Sequence, residues 1–164
     1  MYQKNYTNYN QKSFNPKKIV KHFTDLEVYQ KALEASVFIA KNLVTQGRDT
    51  LQCVSTDNNI FTETKNYILK NMTALALSIP HLIAESHSCR FGSSDQCLLI
   101  LDKVMLSCNK MVVYLEQARD ICDTGIELTQ FEEQTKKYFY IRQKVLNLQR
   151  VWRKYIEVAK LEGK

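Results

Sequence analysis

The stretch KKYFYIRQKVLNLQRVWRKYIEVAK, residues 136–160, decides the fold of this chain. Its apolar residues recur at alternating spacings of three and four, which is the pattern of one face of a long α-helix. These residues are Tyr138, Ile141, Val145, Leu148, Trp152, Tyr155 and Ala159. Upstream, Thr129 and Glu132 form a capping-box pattern that satisfies free backbone N–H groups, and Gly163 follows the last apolar turn. The pattern predicts a helix that begins near Thr129 and ends before Gly163.

The same helix carries a second, cationic face beside this apolar seam. At about 100° per residue, six cations fall within about a third of the circumference, interrupted by Glu157. They are Lys136, Arg142, Arg150, Arg153, Lys154 and Lys160. On the other flank, Tyr140, Val151 and Val158 supply more apolar surface than a lone bundle needs. We therefore predict that the cations bind nucleic acid and that Tyr140, Val151 and Val158 form an oligomer interface.

The composition favours one helical domain. The chain has 164 residues, 45% of them hydrophobic and 24% charged, with four Gly and two Pro. No apolar run has the roughly 18 residues of a membrane span, and the polar first 22 residues do not resemble a signal peptide. The five cysteines are an odd number without a C-x-x-C pair, so we expect reduced thiols. We expect a cytoplasmic protein with no metal, no cofactor and no membrane partner.

Positive charge is concentrated at the two ends of the chain. Residues 1–22 hold five lysines and no acid, and residues 134–164 hold nine Lys and Arg against two Glu, so residues 23–133 are net acidic. This asymmetry favours a polyanionic partner, although a soluble helix with many lysines is the alternative.

Residues 1–22 are predicted to be a flexible arm that precedes a bundle over residues 23–162. The arm shows no periodicity, and Pro16 disfavours helix before it. Its lysines alternate with Tyr and Phe, a mixture that can neutralise phosphate and stack on bases. The lysines that we assign to nucleic-acid binding are Lys12, Lys17, Lys18 and Lys21. A disordered tail, or a strap onto a neighbouring subunit, explains the arm equally well.

Three further amphipathic helices are predicted within residues 23–125. The first begins at the capping box of Thr24 and Glu27 and ends at Gly47. The second runs from Ile60 to about His87, and its interior Pro80 predicts a kink. The third follows Ser93. The predicted seams are Leu26, Tyr29, Leu33, Val37, Ala40 and Val44; Ile60, Tyr67, Ile68, Met72, Leu75, Ile79 and Ile83; and Leu98, Leu101, Met105, Cys108, Val112, Leu115 and Cys122. Four such helices predict an all-α, antiparallel up-down four-helix bundle.

Candidate catalytic or metal-binding groups are few. His81 and Glu85 stand at i and i+4 on one helical face, which suits a metal or a proton relay, but a simple intrahelical hydrogen bond is the alternative. His87, Cys89 and Cys97 supply only three of the four ligands of a structural zinc site. Helical-bundle ribonucleases of the HEPN type need an Arg shortly before a His, and no histidine here has one. We predict no catalytic residue and no enzymatic activity.

Two motifs resemble a known four-helix-bundle family. The first is Phe23-Thr24-Asp25-Leu26-Glu27-Val28-Tyr29-Gln30-Lys31-Ala32, and the second is Ser78-Ile79-Pro80-His81-Leu82-Ile83-Ala84-Glu85. They are similar to the F-x-D-L-x-V-Y-x-x-A and S-I-P-x-N-I-A-E-G motifs of proteins encoded in 23S ribosomal RNA intervening sequences. The family also includes the accessory variability determinants (Avd) of diversity-generating retroelements. Leu82 and Ser86 depart from the Asn and Gly of the second motif.

Weaker matches lie further along the chain. Ser107, the stretch Gln117-Ala118-Arg119-Asp120, and Arg150 with Trp152 resemble residues that the family carries, whereas Lys110 stands in place of a usual Glu. The resemblance implies a barrel-like homopentamer without enzymatic activity. In its Avd-like branch it also implies a basic surface for RNA and a reverse transcriptase. We therefore expect a non-enzymatic RNA-binding accessory protein. The alternative is a structural or protein-interaction bundle of the intervening-sequence type with no direct nucleic-acid role.

Overall fold

The computed structural model describes residues 20–49, 59–90, 92 and 94–161. Over these residues the protein is all-helical, with no strand, which confirms the predicted class. A 3₁₀ turn, Phe23–Asp25, precedes four helices: α1 Glu27–Asp49, α2 Asn59–Cys89, α3 Ser94–Ile121 and α4 Leu128–Leu161. The arm predicted over residues 1–22 lies outside the described residues except for its last three.

The four helices pack in the order of the chain. In the described part of the chain, α1 contacts α2, α2 contacts α3, α3 contacts α4, and α4 closes the ring onto α1, while no contact crosses either diagonal. The contact between α1 and α4 is the smallest of the four. The arrangement fits a four-helix bundle in which all helices share one core.

The core is formed by large side chains from every helix. The largest fully buried ones are Ile39 of α1; Met72, Ile79 and Ile83 of α2; Leu101, Val104, Met111 and Leu115 of α3; and Gln134, Tyr138 and Ile141 of α4. Each apolar member contributes roughly 1.5–3 kcal/mol by leaving water.

The predicted start and end of α1 are wrong, and its predicted seam is right only in part: Leu26 is buried, and Tyr29 and Ala40 are half-buried. The side chain of Val44, also assigned to this seam, lies outside the described residues.

The capping box in the structure is formed by His22 and Asp25 rather than by Thr24 and Glu27, because the backbone N–H groups of Lys21 and His22 donate to the Asp25 carboxylate. This box begins the 3₁₀ turn and not α1. α1 itself begins at Glu27 and continues through Gly47 to Asp49. The face that α1 buries carries small residues, whereas Leu33 and Val37 are about 40% exposed. That face consists of Val28, Ala32, Ala35, Ser36 and Ile39.

Helix α2 runs as one element through the buried Pro80. Ser78 Oγ donates to the carbonyl of Leu75 at 2.7 Å, one turn before the proline. The seam predicted from Ile68 to Ile83 packs in the core, but Ile60 and Tyr67 are 81% and 65% exposed, which corrects their assignment to it. In α3, the predicted seam residues are buried or half-buried.

Helix α4 begins at Leu128, so the predicted cap at Thr129 is wrong and this residue lies in the first turn. Its buried face extends further toward the N-terminus than predicted, to Phe131, and it ends at Trp152, which is half-buried. Tyr155 was assigned to the seam but is 71% exposed.

The buried face of α4 also carries polar atoms that lack a partner. The Gln134 Oε1 and Tyr138 hydroxyl atoms are buried without a hydrogen-bond partner among the described residues. Burial raises the pKa of the Tyr138 phenol, so the phenol is protonated at neutral pH. A buried hydroxyl without a partner costs stability, because it has lost its hydrogen bonds to water.

Tyr138→Phe should therefore leave the free energy of unfolding unchanged or raise it by about 1 kcal/mol. The substitution removes the unpartnered hydroxyl and keeps the ring that fills the core. Urea denaturation measures the difference. The matched control, Ile141→Ala one turn away, should lower the free energy of unfolding by about 2–5 kcal/mol. A loss greater than 1 kcal/mol for Tyr138→Phe would contradict the prediction and would mean that the hydroxyl has a partner such as buried water.

Candidate nucleic-acid interface

The cations in the first half of α4 are largely neutralised by acids of the bundle. Lys144 pairs with Glu27 at 2.9 Å, and Lys137 pairs with Glu34 at 2.9 Å, so both lysines join α4 to α1. Hydrogen bonds from Lys137 and then from Lys31 lower the pKa of the Glu34 carboxyl to about 2. These side chains leave little net charge on this part of the helix.

Tyr140, predicted as an interface residue, belongs to the same contact between α1 and α4. Its hydroxyl donates to the Glu27 carboxylate, and Lys144 Nζ lies 5.0 Å from the centre of its ring. The hydrogen bond from Tyr140 and then that from Lys144 lower the pKa of the Glu27 carboxyl. Tyr140 is therefore engaged within the chain, although 39% of it remains exposed.

Arg142 and Lys136 differ from the other predicted cations. Arg142 is half-buried, and its Nε atom lies in the interior without a partner among the described residues. Burial raises the pKa of the Cys108 thiol to about 12 although Arg142 acts to lower it, so the guanidinium lies close to a thiol that stays protonated. Lys136 lies 3.9 Å from Glu132.

Lys136 and Glu132 also line a groove of about 260 Å³ between α3 and α4. The apolar side chains in its lining are Leu115, Phe131 and Phe139, and the charged ones are Glu116, Arg119, Glu132 and Lys136. Two acids thus balance two bases, so this groove does not select an anion.

The C-terminal end of α4 has a different electrostatic character. Arg150, Arg153 and Lys154 are exposed, and no acid of the described residues pairs with them. We call these three residues the terminal basic patch. Lys160 lies beyond this patch toward the end of α4, and it forms an ion pair with Asp95 of α3 at 3.2 Å. Of the six cations predicted on this helix, the fold therefore leaves three together that form no ion pair among the described residues, with Glu157 as the one acid on their face of the helix.

An aromatic junction places the start of the described chain at the same end of the bundle as this patch. The Phe23 ring lies 6.5 Å from the His87 ring, and the His87 ring lies 6.3 Å from Trp152, which sits between Arg150 and Arg153 in sequence. Lys21, two residues before Phe23, is exposed at the same end of the bundle. Lys12, Lys17 and Lys18 lie outside the described residues. The fold thus brings the end of the predicted basic arm to the same end of the bundle as the terminal basic patch.

His87 fills a structural position in this junction. Arg90 Nη1 donates to His87 Nδ1 at 2.7 Å, and burial, followed by the charge of Arg90, lowers the pKa of His87. The imidazole is therefore neutral near pH 7, with a buried Nε2 that has no partner among the described residues. Nowhere in the described ranges do three His, Cys, Asp or Glu side chains come together as a metal site would require. His81 and Glu85 are exposed, and no hydrogen bond joins them.

The predicted interface residues Val151 and Val158 are each about half exposed, and Tyr155 lies between them in sequence. Sequence periodicity missed Tyr155 as a surface residue because its spacing matches the seam. The one signal in the sequence that could have indicated exposure is that Tyr155 lies among cations. That signal does not decide the matter, because half-buried tyrosines also have cationic neighbours.

Comparison of the chain with models of protein families, with curated proteins and with solved structures finds no match. The resemblance to the intervening-sequence family therefore rests on its sequence motifs alone. Within the described residues, none of the helices combines the length and the apolar character that crossing a membrane requires.

Glu34→Gln should flatten the dependence of the melting temperature on acidic pH. The pKa of Glu34 is depressed in the folded protein, so its contribution to stability is present above the unfolded pKa of about 4.5 and is lost as the pH falls toward about 2. Thermal melts between these two pH values test this. The matched control is Glu85→Gln, which removes an exposed carboxylate that forms no ion pair with the described part of the chain. Equal slopes for the parent and Glu34→Gln would show that the pairs with Lys31 and Lys137 do not persist in solution.

Proposed function

We propose that this protein is a non-enzymatic RNA-binding accessory protein whose contact surface is the terminal basic patch. The observation that carries the proposal is that Arg150, Arg153 and Lys154 are exposed together and lack an acidic partner among the described residues. These three cations outnumber Glu157 on their face of the helix, and a polyanion relieves the repulsion that remains among them. Lysines elsewhere on α4 are less available, because acids of α1 and α3 already neutralise them.

The proposed mode of binding is contact with phosphate rather than readout of bases. Arg presents a planar fork of donors that matches two phosphate oxygens, and Lys adds a mobile point charge. Such contacts carry no sequence information, so binding should be tight at low salt and should discriminate poorly among sequences. In this proposal Lys21 and the lysines of the arm, Lys12, Lys17 and Lys18, contribute further positive charge to the binding of RNA.

The architecture that we propose for function is an antiparallel up-down bundle, kinked at Pro80, in a barrel-like homopentamer. The α1 to α4 ion pairs support the antiparallel order, since Glu34 follows Glu27 along α1 whereas its partner Lys137 precedes Lys144 along α4. The exposed Val151 and Val158 supply apolar surface for a subunit contact. The motif resemblance further suggests a reverse transcriptase as a protein partner. Among the described cysteines no disulfide forms, which fits a cytoplasmic location.

A protein-interaction bundle without a nucleic-acid role is the second candidate, and one feature of α3 favours it. Leu99, Leu106 and Val113 recur every seven residues and are each more than half exposed. A stripe with this spacing suits contact with a partner helix. The two functions differ in salt dependence, because apolar contact does not weaken steeply as salt is added.

Arg150→Glu combined with Arg153→Glu should abolish binding to a structured RNA, because both phosphate-binding forks are replaced by repelling carboxylates. Fluorescence anisotropy over a salt series measures the binding. For the parent, each phosphate neutralised should contribute about 0.7–0.9 to the slope of log affinity against log salt. Helix content and particle mass should stay unchanged, since both side chains are exposed.

The charge-matched control is Lys103→Glu combined with Lys110→Glu, two exposed lysines of α3. It changes the net charge equally and should weaken binding far less. If the arginine variant binds as well as the parent, or if the lysine control loses as much affinity as the arginine variant does, the terminal basic patch is only a solvated surface. The second candidate function then stands.

The pentamer should appear in multi-angle light scattering as a particle of five times the 19.2 kDa chain mass. The physical reason to expect an oligomer is burial of Val151 and Val158 in a subunit contact. In a closed ring this surface is buried on every subunit. A monodisperse monomer would contradict any oligomer, and a dimer would contradict the pentamer.

A further inference from the structure

Tyr155 is the most exposed aromatic side chain of α4, and it stands at the terminal basic patch. It is 71% exposed, and neither a hydrogen bond nor a ring contact holds it among the described residues. It directly follows Arg153 and Lys154 in the sequence. Because its ring is mostly exposed to water, Tyr155 contributes little burial energy to the fold, although it lies one turn from the half-buried Trp152.

The surroundings of Tyr155 make its side of the helix apolar. Val151 and Val158 stand at i−4 and i+3, so they share its flank, and each is about half exposed. At about 100° per residue, Lys154 lies on the adjacent side of the helix. The end of α4 therefore presents a cationic strip beside an apolar strip that carries one ring.

We infer that the ligand of the terminal basic patch is single-stranded nucleic acid, with an unpaired base stacked on Tyr155. The inference rests on the proposed function and names its substrate class. A duplex offers this surface only phosphate and sugar, which would leave the ring of Tyr155 facing polar groups. A single strand offers phosphates to the cations and the flat faces of unpaired bases to the ring, which is the combination by which proteins bind single strands without sequence preference.

Charge complementarity favours a single strand at the cationic strip, because the strand brings one negative charge for each nucleotide. In the proposed pentamer a neighbouring subunit covers Val151 and Val158, and the base stacks on Tyr155 at the edge of that contact.

Tyr155→Leu tests the inference, because leucine keeps the apolar character and removes the ring. Anisotropy titrations compare a short labelled single-stranded RNA with a duplex of the same sequence. The variant should bind the single strand about tenfold more weakly, the loss of one stacked base, and should bind the duplex as the parent does. Tyr155→Trp should retain the affinity for the single strand, since indole also stacks.

The matched control is Tyr67→Leu, which removes a similarly exposed tyrosine. Tyr67 lies near the start of α2, whereas His87 and the aromatic junction lie at the end of that helix. It should change neither affinity. Unchanged binding of the single strand by Tyr155→Leu, or an equal loss for strand and duplex, would overturn the stacking inference. If Arg150→Glu with Arg153→Glu also leaves binding unchanged, the proposed function itself has failed. If that variant loses binding while Tyr155→Leu does not, only the stacking inference has failed.

Discussion

Burial of one face of α4 between α1 and α3 is the constraint on which the rest of the structure depends. That face runs from Phe131 through Tyr138, Ile141 and Val145 to Gln149, and it places the helix in the ring of four. Polar contacts fix its position further, because Gln149 Nε2 donates to Asp102 Oδ1 at 2.7 Å and to the carbonyl of Leu98 at 3.2 Å. Burial ends with the half-buried Trp152, and the remaining turns of α4 meet water on most of their surface.

The electrostatics of α4 follow from the same packing. Where α1 lies beside α4, its Glu27 and Glu34 meet Lys144 and Lys137. Exposed pairs of this kind contribute at most about 1 kcal/mol each, so their larger effect is to cancel charge. Past the start of α1, Arg150, Arg153 and Lys154 form no ion pair with a carboxylate of the described residues, and an excess of positive charge is left at this end of α4. The proposed function thus arises from where the neighbouring helix begins as well as from the cations themselves.

The seams of α3 and α4 could be predicted from sequence because large apolar side chains recur there at helical spacing. Leu101, Leu115, Ile141 and Val145 are buried as their positions indicate. The same rule failed in α1, where Ala32 and Ala35 face the core and the larger Leu33 does not. Small side chains allow close approach of a neighbouring helix, and a count of large apolar residues gives them too little weight. Gly47 failed as a helix end for a related reason, since a glycine inside a helix costs only about 1 kcal/mol relative to alanine.

The sequence could predict which residues share the face of the candidate site, but not which of them are exposed or which are paired with an acid. Periodicity identifies which residues share a face of α4, but it contains no information on where the neighbouring helices end, so Tyr155 was assigned to the core. Nor does a list of cations reveal which of them meet an acid from another helix, as Lys160 meets Asp95. The proximity of Phe23, His87 and Trp152 joins three distant parts of the chain, and only the fold shows that Lys21 lies at the same end as Arg150.

Photo-cross-linking of the full chain to a single-stranded RNA that carries 4-thiouridine, with the adducts mapped by mass spectrometry, tests the central claim most directly. The claim is that the unneutralised end of α4 is the RNA-binding surface. It predicts adducts concentrated between Arg150 and Val158, with the strongest at Tyr155, that disappear as salt is raised. Adducts confined to residues 1–22, adducts around Lys103 and Lys110 of α3, or adducts spread evenly over the exposed cations would contradict it.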